Sequence, residues 1–255
     1  MAEIVIRQVT KIYPGEAAVE CLDRIDLNVR DGEFLCILGP SGCGKSTLLE
    51  ILAGLQQPTD GEILFDRSPL PRLNHKLGMV FQDPSLYPWR TVVDNVALGL
   101  EIRGVGKAKR KRIAEKYLAM AGLDGFEQKY PHQLSGGMRQ RAGLARALAN
   151  EPEVLLMDEP FGAVDYLTRL QLQDDLVNIW KTEKKTIVFV THDISEAIYL
   201  GNRIALLTAR PGRIKKIVEI PKDHPRRRDD MDLSIIQNDI YSAIQEAADG
   251  TPAKK

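Results

Sequence analysis

Ile4–Val9 and Leu22–Val29 alternate apolar and polar residues, the pattern of strands with one face on a core. Tyr13-Pro14-Gly15 between them reads as a turn. Phe34-Leu35-Cys36-Ile37-Leu38 is apolar without a break, which marks a strand covered on both faces. A glycine-rich loop follows, and Lys45–Leu55 then takes a helical pattern. Leu77–Phe81 reads as a further strand. From Pro84 to about Asn150 the texture changes. Val92–Leu100, Ala108–Ala121 and Gly136–Ala149 are helical by pattern, which predicts an inserted helical subdomain. Val154–Met157 and Thr186–Val190 return to buried-strand texture, and Leu172, Leu176, Ile179 and Trp180 between them share one helical face. Arg203–Thr208 adds another strand. Leu233, Ile236, Ile240 and Ile244, three and four apart, predict a final helix capped by Asp232, with the residues from about Gly250 frayed.

Strands alternating with helices imply a mainly parallel sheet with helices on both sides. The expected fold is therefore α/β. It has a mainly parallel sheet core, an N-terminal antiparallel β subdomain and the α-helical insert at about 84–150. The main domain is expected over residues 1–230, with a C-terminal helix and tail at 231–255.

Composition narrows the function. The chain has 255 residues, 44% hydrophobic and 27% charged, enough for one large domain or a domain with a subdomain. Lys plus Arg is 35 and Asp plus Glu is 35, so no basic excess points to nucleic acid. The runs Lys107–Arg112 and Arg226–Arg228 read as solvated faces. Three cysteines, Cys21, Cys36 and Cys43, form no disulfide framework and suit a reducing compartment. The N-terminus lacks a signal-peptide pattern, and no run approaches the ~20 apolar residues of a membrane span. For this chain to work at a membrane, other chains must do the spanning.

The strongest chemical signal is Gly39-Pro40-Ser41-Gly42-Cys43-Gly44-Lys45-Ser46, followed by Thr47. It matches the phosphate-binding loop of a P-loop NTPase in full and lies between a buried strand and a helix, as that motif requires. Its glycines let backbone N–H groups turn around an anion, and the helix adds its positive end. Lys45 supplies a cation for the outer phosphates, and the Ser46 hydroxyl is a Mg²⁺ ligand. Cys43 sits at a helix start, where a thiol pKa tends to fall. The second signal is Leu155-Leu156-Met157-Asp158-Glu159, an apolar strand ending in two acids at the sheet edge beside the loop. Two acids there require a cation or a proton partner. Asp158 is the natural Mg²⁺ holder and Glu159 the natural general base for an attacking water.

The third signal is Leu134-Ser135-Gly136-Gly137-Met138-Arg139-Gln140, a helix opening with Ser135 as N-cap and hence a second anion site. Alone the triplet is weak. Two phosphate-binding helix starts in one chain suggest a site shared between subunits.

With these residues in this order, the chain resembles the ATP-binding subunits of ABC transporters over about Ile4–Pro211. The resemblance implies that Tyr13 stacks on adenine. It implies that Gln82 senses Mg²⁺ and faces a membrane subunit. Ser135, Gly136 and Gly137 then contact the γ-phosphate across a dimer, and Asp165 links the two sites. His192, in Val190-Thr191-His192-Asp193, then contacts the γ-phosphate. The ordinary alternatives are a turn aromatic for Tyr13, a strand-end amide for Gln82 and a satisfied core histidine for His192. Met138 stands where the family signature usually has Gln, and Val164 where Leu is common.

Leu86–Val96, Phe161–Asp165 with Leu167-Thr168-Arg169, and Arg210–Ile214 with Ile220-Pro221 are similar to bacterial importers of nitrate, taurine and aliphatic sulfonates. The resemblance implies ATP and Mg²⁺ as cofactors. Its implied partners are a second, identical or paralogous ATP-binding subunit, membrane permeases and, indirectly, a solute-binding protein, with no nucleic acid. It places the chain peripherally on the cytoplasmic side of the inner membrane. Tyr87 and Trp89 suit a permease contact or local packing. A non-transport ABC ATPase, a nucleotide sensor that does not hydrolyse and an exporter subunit are the rival readings.

Overall fold

The computed structural model describes residues 2–15, 18–72, 74–162, 164–208 and 210–248, with the backbone alone at 246–248. The expected fraying from Gly250 lies outside the described residues, as does Ala163. The chain divides into two compact units, Met1–Asn74 with Lys185–Lys255, and His75–Lys184.

The first unit opens with β1 (Ile4–Tyr13) and β2 (Val19–Val29), which pair antiparallel with Ile4 opposite Val29. Alternation sets the register: Ile4, Ile6, Leu27 and Val29 are buried and their neighbours are not. β1 extends to Tyr13 because Tyr13 pairs with Val19, so the predicted turn begins one residue later. β3 (Phe34–Leu38) is buried at all five positions, and α1 (Lys45–Leu52) follows the glycine-rich loop. β4 (Asp60–Phe65) and β5 (Ser68–Pro69) complete an antiparallel sheet of order β2-β1-β4-β5.

The second unit begins with β6 (Leu77–Val80). The helix expected over Val92–Leu100 is two short ones, α2 (Val92–Val96) and α3 (Leu98–Ile102). The break falls at Ala97, whose φ of −74° and ψ of −7° are still right-handed but turned toward the edge of the helical region. α4 (Lys107–Met120) and α5 (Gly136–Leu148) follow. β7 (Val154–Asp158) runs parallel to β6, with Val80 opposite Met157, and α6 (Tyr166–Glu183) closes the unit.

Returning to the first unit, β8 (Thr186–Thr191), α7 (Ile194–Leu200) and β9 (Arg203–Leu207) lead to β10 (Ile214–Glu219) and α8 (Met231–Ala248). β3 lies between β8 and β9, parallel to both, and β10 adds antiparallel to β9. Every residue of β3, β8 and β9 is buried, and the Phe34 and Phe189 rings sit 6.0 Å apart in their midst. At the base of these strands Arg203 Nη1 reaches the Glu33 carboxylate at 3.0 and 3.1 Å and the Asn28 carbonyl at 3.1 Å. A buried charge is tolerable there because it is paired and hydrogen-bonded.

Two expectations are corrected here. α8 buries Leu233 and Ile240 as its spacing predicts, but its cap is Asp230, whose Oδ1 accepts the Asp232 N–H at 2.9 Å. The carboxylate must precede the first turn to reach its free N–H groups, and Asp232 is already inside it. The run Arg226–Arg228 is not a solvated face throughout. Arg226 is buried and donates to the carbonyls of Ile198, Tyr199, Gly201 and Lys222, while Arg228 stacks 3.6 Å over the Tyr199 ring. Arg227, paired with Asp229, and Arg228 are both exposed, so the solvated face holds for these two and fails at Arg226.

Candidate functional site

In the first unit the site is built on the ends of β3 and β8. Leu38 and Thr191 are paired across these parallel strands, so the loop after Leu38 and the segment after Thr191 leave from the same edge. The first is residues 39–46, and the second begins with His192, whose side chain is exposed. Such an edge, where strands deliver loops side by side, is where α/β folds bind ligands.

Gly44 has a φ of 97°, closed to most side chains, and it hands the chain into α1. The first intrahelical bond is Leu48 N–H to Gly44 O at 2.8 Å. The N–H groups of the preceding turn, at Lys45, Ser46 and Thr47, have no partner within the helix by construction, and no acid occupies that turn. N–H groups so placed at a helix start suit an anion. Lys45 is buried and its ammonium donates to Gly39 O at 2.9 Å and Pro40 O at 3.0 Å. Ser46 is exposed at the start of α1. Tyr13 is tied to the same helix: its hydroxyl lies 3.0 Å from Gln56 Oε1 and 3.3 Å from Thr47 Oγ1.

Cys43 departs from expectation. It is 1% exposed, and burial, the largest influence, pushes its thiol up despite the opposing charge of Lys45. The helix-start effect assumed from sequence applies to an exposed thiol, and this one points into the core.

Sequence reasoning gave Arg210–Ile214 only a subfamily meaning, but the structure puts it against the phosphate loop. Gly212 N–H donates to Cys21 O at 2.9 Å and its carbonyl accepts from Asp23 N–H at 3.0 Å. A Cβ on Gly212 would stand 2.2 Å from the Cys43 carbonyl oxygen. The Arg210 guanidinium lies over Gly42, with Nε 3.4 Å from its carbonyl. No motif spacing signals this support, because it comes from a distant loop.

In the second unit, the parallel ends of β6 and β7 deliver Gln82 and the pair Asp158-Glu159. Glu159 has a φ of 39°, a left-handed conformation rare for a side-chain-bearing residue, and its carbonyl accepts the Gly162 N–H at 3.1 Å. Gln82 is exposed beside Gly162, its Nε2 3.4 Å from where a Cβ on that glycine would stand. Ser135 caps α5 as expected, its Oγ accepting the Met138 N–H at 3.2 Å. Ser135 and Gly136 are exposed. Gly137 is buried so tightly that a Cβ would be 2.5 Å from Thr168 Cγ2. Asp165 caps α6 through the Thr168 N–H at 3.1 Å, and that backbone bond chiefly holds its carboxyl below the usual range. Gly137 and Asp165 thus meet on one turn of α6.

Asn95 and Arg146 were missed by the sequence reading. Asn95 is fully buried, accepts the Tyr87 N–H at 2.7 Å and donates to the carbonyls of Tyr87, Arg90 and Thr91. Arg146 donates to the carbonyls of Pro84 and Ser85. Together they fix the loop after Gln82, on which Tyr87 and Trp89 stand exposed with rings 5.2 Å apart. Their exposure leaves little of the alternative that they fill a local core.

A full phosphate loop opening α1 beside a parallel strand defines a P-loop nucleoside triphosphatase. The comparisons specify it further. Residues 22–162 match the family model described as ABC transporter. The chain is 49% identical to an uncharacterised ABC transporter ATP-binding protein of Methanocaldococcus jannaschii, over 94% of this chain and 91% of that one. It is 43% identical to an aliphatic sulfonates import ATP-binding protein of Bacillus cereus, over 94% and 95%. A dimeric ATP-binding cassette in a post-hydrolysis state, bound to ADP and Pi, superposes with a TM-score of 0.77 at 36% identity, covering 86% of this chain and all of that one. The chain belongs to the ABC transporter family, as an ATP-binding, ATP-hydrolysing subunit. Among the described residues no helix is long and apolar enough to cross a membrane.

Proposed function

We propose that this chain is the ATP-hydrolysing subunit of an importer and works as a dimer against membrane permeases on the cytoplasmic side. The observation that carries the reading is the joint exit of the phosphate loop and His192 from the paired ends of β3 and β8. Lys45 and the first-turn N–H groups of α1 hold the phosphates, and His192 faces the terminal one. Tyr13 supports the base. Ser135, Gly136 and Gly137 of one protomer grip the nucleotide held by its partner, with Asp165 linking the two sites.

Mg²⁺ fits the donor chemistry. Ser46, Gln82 and Asp158 offer hydroxyl, amide and carboxylate oxygens, the hard ligands this ion takes alongside phosphate and water. Among the described residues no cluster of three or more acids, histidines or cysteines forms a metal cage. When bound, Mg²⁺ neutralises charge on the phosphates. Glu159 takes the proton of the attacking water. Opening and closing of the dimer then follows the γ-phosphate, which the two protomers share only before hydrolysis.

Trp89 and Tyr87, beside Gln82, offer a permease an aromatic anchor on a preformed loop. The import direction and a small sulfonate-like solute rest on the relatives' names and on the segments Leu86–Val96 and Arg210–Ile214. The test is phosphate release by the purified chain. Glu159→Gln is expected to bind ATP, to slow hydrolysis by about 10²–10⁴-fold and to accumulate as a dimer. Normal turnover by that variant removes Glu159 as the base. Binding assays on a solute-binding protein that co-purifies with the assembled transporter would identify the solute.

A further inference from the structure

His192 is exposed, yet the residues on either side of it are locked. Thr191, the last residue of β8, is buried, and its hydroxyl donates to Glu196 Oε2 at 2.7 Å. Thr191 Oγ1 itself accepts the Asp193 N–H at 3.0 Å. Asp193 Oδ1 in turn accepts the N–H groups of Ser195 at 2.8 Å and Glu196 at 3.1 Å, capping α7. His192 therefore stands at the apex of a closed hydrogen-bonded loop from Thr191 to Glu196.

The far end of α7 is anchored as well. Arg226 Nη1 donates to Ile198 O at 2.6 Å and Gly201 O at 2.7 Å, and His224 Nε2 lies 3.1 Å from Tyr199 O. A cation on the last carbonyls and a carboxylate on the first N–H groups both suit the helix dipole. Glu196 thus projects from a helix held at both ends. A carboxylate buried to 7% exposure is costly unless its hydrogen bonds matter, and among those the structure gives it is the bond from Thr191.

We infer that Thr191 and Glu196 are positioning residues for His192, fixing the backbone on which its imidazole meets the terminal phosphate. The inference rests on the proposed role of His192. Neither residue touches the nucleotide in this scheme. Their loss leaves ATP affinity intact and lowers turnover, because a misplaced group costs rate more than binding.

Steady-state ATPase rates and ATP affinity of the purified full-length chain test this, with the thermal midpoint recorded for each variant. Thr191→Val is expected to lower kcat about tenfold or more with the Kd for ATP within about twofold of wild type. Thr191→Ser, which keeps the hydroxyl, restores kcat to within about twofold. Glu196→Gln, which keeps an accepting oxygen, stays close to wild type, whereas Glu196→Leu matches Thr191→Val. Unchanged kcat in Thr191→Val overturns the inference. So does failure of Thr191→Ser to rescue, or a parallel loss of ATP affinity and thermal midpoint, which marks a merely structural bond. His192→Ala is measured alongside: if it turns over normally, the parent reading of His192 fails, and that result is distinct from all of these.

Discussion

The Lys45 ammonium donates to the Gly39 carbonyl at 2.9 Å, closing the phosphate loop on its own cation. A buried ammonium needs acceptors, and two of them are carbonyls of the loop itself, Gly39 O at 2.9 Å and Pro40 O at 3.0 Å. Lys45→Ala is expected to weaken ATP binding by about tenfold or more, since a hydrogen bond to a charged group is worth about 1.5–3 kcal/mol. Titration calorimetry checks this, and wild-type affinity in the variant would remove the loop as the binding site.

Burial of Cys43 makes a prediction opposite to that of its motif. A raised thiol pKa leaves less thiolate at neutral pH, and thiolate is the reactive form. Cys36 is buried too and its thiol is pushed well up, chiefly by burial, whereas Cys21 is half-buried. In the native protein at neutral pH a thiol reagent should modify Cys21 first, with Cys36 and Cys43 reacting only in denaturant. Mass spectrometry of labelled peptides decides it, and rapid native labelling of Cys43 contradicts the structure.

Gly212 lies so close to the phosphate loop that one methyl group should be felt there. Gly212→Ala forces a Cβ to within 2.2 Å of the Cys43 carbonyl oxygen, so one of the two backbones must move. Displacement of the loop should weaken ATP binding about tenfold, in line with the cost of small misplacements in binding geometry. Gly32→Ala, with open space around the site, is the control for a general glycine effect. It is read from stability, because Gly32 has a φ of 70°. Equal ATP affinity in Gly212→Ala and wild type refutes the buttress.

The Asp165 cap has a calculable pH signature. Its carboxyl is held below the ordinary range, first by the Thr168 N–H, so the folded state favours the charged form. The sign follows from linkage. The cap's contribution is complete above the unfolded value of about 3.9 and disappears as pH falls through the lower folded value. The difference in thermal midpoint between wild type and Asp165→Ala should be constant from pH 8 to about 5 and should close only below about 4. Asp165→Asn, which still caps, should track wild type above that range. A gap that closes near neutral pH rules out this carboxylate as the cause.

The parallel strands were legible because burial on both faces writes an unbroken apolar run, as at Phe34–Leu38 and Val154–Met157. The phosphate loop was legible because its chemistry is local. β4 was not: Asp60-Gly61-Glu62 reads as a turn, and only Ile63 and Phe65 face the core. β10 carries Lys215 and Lys216 as an edge strand does, which hides its period. Arg226 was misread because a buried arginine satisfied by carbonyls looks, in sequence, like any basic run. Arg146 and Gly212 serve loops far from them in the chain, and one sequence holds no trace of that, while Asn95 fixes a loop a few residues before it but reads as an ordinary helix polar residue.

Trp89 is 71% exposed on a loop fixed by Asn95, while Trp180, the other tryptophan, is half-buried in α6. An indole standing in water emits at long wavelength and shifts to the blue when covered. With Trp180 replaced by Phe, the chain carries one built-in optical reporter at the surface where a membrane partner would sit. Its colour then reads docking directly, without an added dye.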